Sequence, residues 1–289
     1  MRYIAPSELI LNPDGSVFHL HLKPGEISNT IILVGDPARV DLVSSYFESI
    51  EFKRESREFV TITGKYNNNR VTVLSTGIGT DNIDIVINEL DALVNIDFQK
   101  REEKINKTSL RLLRLGTTGA IQPEIKLGSM ILSHYSIGFD GLLNWYAHRD
   151  RVTDQDMEQN FMQHMNWPIE LPTPYFAKAS DEMIELFSEK CVKGLTISAP
   201  GFYAPQGRVL RLELVIEDLL EKLETFRYKD LKITNFEMEG SALAGLSTHL
   251  GHKAATICVA IANRHFKESN PDYKVYVNDM IKFALERLF

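Results

Sequence analysis

The chain is poor in several features that would mark it for common roles. Its only cysteines, Cys191 and Cys258, lie far apart in no redox or metal-ligand spacing. Neither a disulfide framework nor a zinc site is therefore encoded, and Cys258, inside the apolar run TICVAIA, reads as a small buried hydrophobe. Basic runs are missing: 32 Lys and Arg stand against 39 Asp and Glu, a formal net charge of -7. Such a chain lacks the electrostatic footprint of a nucleic-acid binder, and an anionic ligand would have to be met by a few placed arginines. No segment reaches the roughly 18 consecutive apolar residues of a membrane span. The opening MRYIAPSELILNPDG has no apolar core of a signal peptide, so the cytoplasm is expected, with no membrane partner. There is no Walker phosphate loop and no Gly-x-Ser-x-Gly elbow. The run Ser75-Thr76-Gly77-Ile78-Gly79-Thr80-Asp81-Asn82 has asparagine where a dinucleotide fingerprint needs its third glycine, which excludes a Rossmann cofactor site.

What is present is an ordinary globular chain of 289 residues, 44% of them hydrophobic, enough for a large core. No linker-like break divides it, so one domain spanning 1-289 is expected. The most polar stretch, Gln99–Ser109, reads as an exposed loop. Apolar β-type runs at Ile31–Val34, Phe59–Lys65, Arg70–Ser75, Leu110–Leu115, Ser129–Ser133, Leu195–Ala199 and Ala254–Ala262 alternate with helical patterns. Those patterns fall at Pro37–Phe47, Asp81–Val94, Asp181–Lys190, Met238–Leu250 and Tyr273–Leu288. The expected fold is α/β: a single-domain three-layer sandwich around a central mixed, largely parallel sheet. Sites in such folds gather beyond the carboxyl ends of strands, so residues after Val34, Ser75, Leu115, Ala199 and Ala262 are the informative ones.

Gly35-Asp36-Pro37-Ala38-Arg39 places free backbone N–H groups at a helix start, with a guanidinium one turn later. The bland reading is a capped strand-to-helix turn. Arg114 alternates with leucines in a strand pattern (LRLLRLG) and is followed by Gly116-Thr117-Thr118-Gly119. A guanidinium inside a sheet must face a ligand or a buried carboxylate, and both readings stand. Gly201–Arg208 gathers Phe202, Gln206 and Arg208: a ring to stack on a base, an amide that donates and accepts, and a positive charge. Glu237 and Glu239 sit at an expected helix start, where the dipole favours acids in any case. Being two apart they should face different ways, with only one reaching a ligand.

Together these blocks resemble the uridine phosphorylase branch of the nucleoside phosphorylase family. The resemblance runs from about Phe18-His19-Leu20 to the last helix. It is carried by Gly35-Asp36-Pro37-x-Arg39, Ser56-Arg57-Glu58-Phe59, Ser75-Thr76-Gly77-Ile78-Gly79, Arg114–Pro123, Gln206-x-Arg208, Glu237-Met238-Glu239 and Asn263-Arg264. It implies phosphorolysis of uridine to uracil and ribose 1-phosphate, with inorganic phosphate as co-substrate and no organic cofactor; no residue is assigned to a metal. It also implies a homo-oligomer built from dimers that share active sites, with a hexamer within the family's range. By resemblance, Gly35, Arg39, Arg114 and Thr117 hold phosphate together with Arg57 from a neighbouring subunit. Thr118, Met238, Glu239 and a neighbour's His19 meet the ribose. Phe202, Gln206, Arg208, Ile261 and Ala262 form the base pocket, and Arg208, Gln206 and Arg114 carry the catalysis. Purine members carry an aspartate after the late strand; here Ala262-Asn263-Arg264 stands there, which favours a pyrimidine. A purine or broad-specificity phosphorylase, and a nucleosidase using water, are the alternatives. The segment Trp145–Pro174 and the Thr80-Asp81-Asn82 sequence after Gly79 depart from the family pattern.

Overall fold

The computed structural model describes residues 2–289. In chain order the elements begin with β1 (Thr30–Val34), α1 (Pro37–Ser44), β2 (Ser49–Ser56), β3 (Phe59–Tyr66), β4 (Asn69–Ser75) and α2 (Thr80–Asn95). There follow the short pair β5 (Ile96–Asp97) and β6 (Glu102–Glu103), then β7 (Arg111–Ala120), β8 (Met130–Gly138), α3 (Gln155–Met165), β9 (Tyr175–Lys178), α4 (Asp181–Phe187) and β10 (Val192–Ser198). The chain ends with α5 (Leu219–Thr225), β11 (Arg227–Tyr228), β12 (Leu231–Glu237), α6 (Gly240–Leu250), β13 (Lys253–Asn263), β14 (Glu268–Ser269) and α7 (Lys274–Leu288).

Among the described residues the main sheet runs β11-β12-β10-β8-β13-β7-β1-β4-β3-β2, with β9 on β8 and β14 on β13. It is mixed. The run β13-β7-β1-β4 and the trio β8-β10-β12 are parallel. The hairpins at the margins, and the β13–β8 seam between the two parallel groups, are antiparallel. The end of β7 also pairs with β12, Phe236 opposite Gly119 and Asn235 opposite Ala120. The ladder β7-β13-β8-β10-β12 thereby closes on itself, and that part of the sheet becomes a small ring.

Alternation along β1 shows how the two faces are built. Ile32 and Val34 join one core with Val40 and Val43 of α1 and with Met280 and Ile281 of α7. Ile31 and Leu33 join the opposite core with Ile83, Val86 and Leu90 of α2 and Leu243 of α6. A buried strand presents apolar residues to both sides in this way, and truncating one of them to alanine costs about 2–5 kcal/mol. A third core, around Phe139, Phe161, Phe176 and Phe226, seats α3 and α5 and absorbs the Trp145–Pro174 excursion.

Several boundaries differ from expectation. Helix α1 ends at Ser44 rather than Phe47, because the next N–H groups, of Tyr46 and Phe47, bond three residues back and tighten the last turn. More consequentially, Gly116–Ala120 is not a turn after a strand. It continues β7, paired along its length to β13.

Candidate active site

One cavity of about 870 Å³ opens where β1, β7, β12 and β13 end. It receives Gly35, Arg39, Arg114, Thr117, Thr118, Phe202, Gln206, Arg208, Met238, Glu239, Ile261 and Ala262, brought from five parts of the chain.

The first of its two ends is built around guanidinium groups. Asp36 caps α1, its carboxylate accepting the Ala38 N–H at 2.9 Å, and Pro37 occupies the first helical position. This fixes Arg39 one turn in, where its Nη1 donates to the Leu115 carbonyl at 3.2 Å. Among the described residues no carboxylate pairs with Arg39. Burial, then the positive charge of Arg114, pulls its guanidinium below the usual arginine range. Arg114 is 5% exposed and sits between two carboxylates: Glu237 Oε2 at 3.3 Å and Glu239, in closer contact. Burial alone would lower the Arg114 guanidinium, but Glu239 and Glu237 more than offset it and raise it. Gly116 makes this possible, since a Cβ there would lie 2.4 Å from Arg114 Nη1 and 2.8 Å from Cys258 Sγ. Gly77 is required for a different reason. Its φ is +70° and a Cβ would meet the Asn82 side chain at 2.4 Å.

Arg114 is therefore a buried ion-pair residue, and it also lines the cavity. The expectation that Glu237 and Glu239 diverge is corrected. The helix begins at Gly240, not Met238, so Glu237 closes strand β12 and Glu239 is the residue before α6. In that geometry both side chains turn to Arg114. Glu237 also accepts the N–H groups of Glu239 (2.9 Å) and Gly240 (2.8 Å), and Glu239 accepts the Gly79 N–H at 2.8 Å. Burial, and the charge of Glu237, hold the Glu239 carboxyl above the ordinary glutamate range although Arg114 pulls it down.

Of the adjacent threonines, Thr118 is buried and its hydroxyl is engaged: it donates to the Phe236 carbonyl and accepts from Asn235 Nδ2 at 2.8 Å. Thr117 is half-buried and faces the cavity.

At the other end Arg208 folds back on its own loop. Its guanidinium lies 3.8 Å from the Phe202 ring centroid, and its Nη1 donates to the Phe202 carbonyl and to Gln206 Oε1, both at 2.6 Å. One face of Phe202 is thus covered by Arg208. The Gln206 oxygen is occupied as well, which leaves its NH2 to present to a ligand. Burial, followed by repulsion from Arg264, pushes Arg208 down to about 10, still ionised at neutral pH. Arg264 holds the loop by donating to the carbonyls of Gln206 (3.1 Å) and Gly207 (3.4 Å). A register shift in β13 between Ala260 and Ala262 brings Ile261 to the cavity wall beside Ala262. Asn263 turns away: it is fully buried, donating to the carbonyls of Gln122 and Ile125. Its side chain therefore reads no base, and no acid stands at Ala262-Asn263-Arg264.

His19 and Arg57 do not line this cavity. They lie together outside it. Arg57 occupies the two-residue turn between β2 and β3 with φ +54°, exposed, its guanidinium 5.7 Å from the Phe18 ring. Phe18 packs edge-on against His19, whose Nδ1 is 2.6 Å from Glu89 Oε1.

Lining residues to which the motif reading gave no site role include Glu58, Ile78, Asn82 and the segment Ser269–Pro271 with Tyr273. That segment has no periodicity, and nothing short of the tertiary fold brings it to the rim. Among the described residues no group of three or more His, Cys, Asp or Glu could hold a metal, and no helix is long and apolar enough to cross a membrane.

Residues 29–286 match the family model described as the phosphorylase superfamily. A uridine phosphorylase of Thermococcus kodakarensis is 29% identical over 254 residues, covering 87% of this chain and 79% of its own length. A DeoD-type purine nucleoside phosphorylase of Listeria monocytogenes is 28% identical, covering 93% of this chain and 97% of that one. Among solved structures, a Trypanosoma brucei nucleoside phosphorylase, described as showing uridine phosphorylase activity, superimposes with a TM-score of 0.88 at 29% identity. The alignment covers 97% of this chain and 99% of that one.

Proposed function

The chain belongs to the phosphorylase superfamily, and from that premise we propose that it cleaves uridine with inorganic phosphate to give uracil and ribose 1-phosphate. The observation that carries this reading is the uncompensated guanidinium of Arg39 beside Arg114. A half-buried cation without a carboxylate, next to another cation, is held in place for an anion. A nucleosidase using water would have no use for it.

Phosphate sits at this end, between Arg39, Arg114, Thr117 and the Gly35 backbone. There the arginines place it under the anomeric carbon and supply proximity rather than acid–base chemistry. The ribose lies against Met238 with its hydroxyls on Glu239, near Thr118. As the glycosidic bond breaks, positive charge grows on the sugar ring, as in glycoside hydrolysis, and negative charge passes to the uracil. Gln206 NH2 and the Arg208 guanidinium stabilise the departing base, while Phe202, Ile261 and Ala262 enclose its faces. No covalent enzyme intermediate and no organic cofactor are required.

Three arginines and four carboxylates line the cavity, too negative a balance for a phosphate dianion. This supports a further cation from outside the chain, and Arg57, clustered with His19 beyond its own cavity, is placed to be lent. The active form is accordingly a homo-oligomer built from dimers with shared sites.

Uracil release from uridine should depend strictly on added phosphate. Equal release in phosphate-free buffer would identify a nucleosidase, and faster turnover of inosine than of uridine would identify a purine enzyme. The shared site has its own test. Arg57→Ala and Arg39→Ala should each be nearly inactive alone, and mixing them under subunit exchange should restore part of the activity. No recovery from subunits shown to exchange would count against the lending of Arg57.

A further inference from the structure

A second buried polar cluster lies outside the cavity lining, at the first turn of α6. Asp140, just past β8, accepts three hydrogen bonds: from the Leu142 N–H (2.8 Å), the Tyr175 hydroxyl (2.8 Å) and the Ser241 hydroxyl (3.0 Å). Tyr175 and Ser241 are fully buried. Burial holds the Asp140 carboxyl above its ordinary range, and burial with the Asp140 charge holds the Tyr175 phenol far above its own. The phenol is thus a permanent donor.

The cluster continues toward the cavity. The Ser241 N–H donates to Ser198 Oγ at 2.8 Å, and the Ser198 hydroxyl donates to Glu237. Glu237 in turn takes the N–H groups of Glu239 and Gly240 and contacts Arg114. A helix start leaves several N–H groups without partners, and the residue before the first turn commonly caps them with its own side chain. Here Glu239 occupies that place and makes no capping bond. The N–H groups of Gly240 and Ser241 are met instead by Glu237 and Ser198, which frees the Glu239 carboxylate to turn into the cavity.

We propose that Asp140 and Tyr175 are positioning residues: by anchoring Ser241 they hold the first turn of α6 and thereby aim the Glu239 carboxylate at the nucleoside sugar. The role assigned to Glu239 rests on the functional reading above, whereas the anchoring of the helix start does not.

Tyr175→Phe is the decisive variant, because it keeps the ring that packs over Gly138 and removes only the hydroxyl. Asp140→Ala makes the same test with a larger perturbation, and if it fails to fold Tyr175→Phe decides alone. In Tyr175→Phe the kcat/KM for uridine should fall about tenfold while the KM for phosphate changes less than about twofold. The loss with 2′-deoxyuridine, which offers one hydroxyl fewer to Glu239, should be smaller than with uridine. Amide hydrogen exchange of the ligand-free protein should quicken about tenfold at residues 239–241 and stay unchanged in the last turn of α6. Equal losses toward phosphate and nucleoside, or unaltered exchange at 239–241, would overturn the proposal. If the parent releases no uracil from uridine at all, the functional reading falls, and the exchange measurement still decides whether the helix start is anchored in this way.

Discussion

Replacing Arg39 with methionine is expected to lower kcat/KM for phosphate by about 10²- to 10³-fold, the usual consequence of removing a charged donor aimed at the reacting groups. The same variant should be no less stable than the parent in phosphate-free buffer. Arg39 gives one hydrogen bond, to the Leu115 carbonyl, and forms no ion pair among the described residues, the Asp36 charge offsetting burial and Arg114 only in part. Burial and the neighbouring Arg114 both work against its charge, so an unbranched apolar chain of similar reach removes a cost. Stability and activity therefore part company at this position. The check is a pair of melting curves beside the kinetics. Phosphate should raise the melting temperature of the parent with concentration, as any ligand of the native state must, and should leave the variant unmoved. A variant still stabilised by phosphate would show that the anion sits elsewhere.

Arg114→Met should behave in the opposite sense. Removing this guanidinium leaves Glu237 and Glu239 buried together without a counter-charge, which costs about 3–5 kcal/mol of stability at neutral pH, together with most of the activity. The loss should depend on pH in a definite direction. The Glu239 carboxyl is already held above its ordinary range by burial, and Arg114 is the largest influence pulling it down. Without Arg114 the folded-state value rises further above the unfolded one. A group raised in the folded state contributes stability that is present below its unfolded pKa and is lost as pH rises through the folded pKa. The deficit relative to the parent should thus shrink on going from about pH 7.5 to about pH 5, measured by urea unfolding. A deficit independent of pH would locate the damage in packing rather than charge. Adding Glu237→Gln and Glu239→Gln to Arg114→Met should recover much of the stability and none of the activity.

Much of this architecture could be read from the chain. Alternating apolar residues placed the main strands, and Asp36-Pro37 marked the start of α1. The expectation that chemistry gathers beyond strand ends led to residues that line the cavity. Reading failed where tertiary pairing overrides local preference. Gly116-Thr117-Thr118-Gly119 has the composition of a turn, yet β13 on one side and β12 on the other draw it into a strand. Glu237 and Glu239 were assigned to one helical turn. A shift of two residues in the helix start instead turned both toward Arg114. Spacing also did not show that Asn263, in the Ala262-Asn263-Arg264 stretch where purine members carry an aspartate, turns its side chain to the backbone of the 122–125 turn. The Ser269–Tyr273 wall carries no pattern that periodicity could detect. The placing of Arg57 and His19 outside their own cavity depends on contacts between distant segments, which spacing along the chain does not report.

The continuation of β7 through Gly116–Ala120 has a consequence for how such an enzyme can change. Arg114, Thr117 and Glu237 ride on strands locked into a closed ladder, so a substitution near the phosphate disturbs the most tightly knit part of the molecule. Phe202, Gln206, Arg208 and residues 270–273 ride on connecting segments outside the strands, and Ser269 on the two-residue edge strand β14. Nucleoside preference can therefore drift through loop changes while the phosphate chemistry is conserved by the fold itself, and a library aimed at new bases should be confined to residues 201–208 and 266–273.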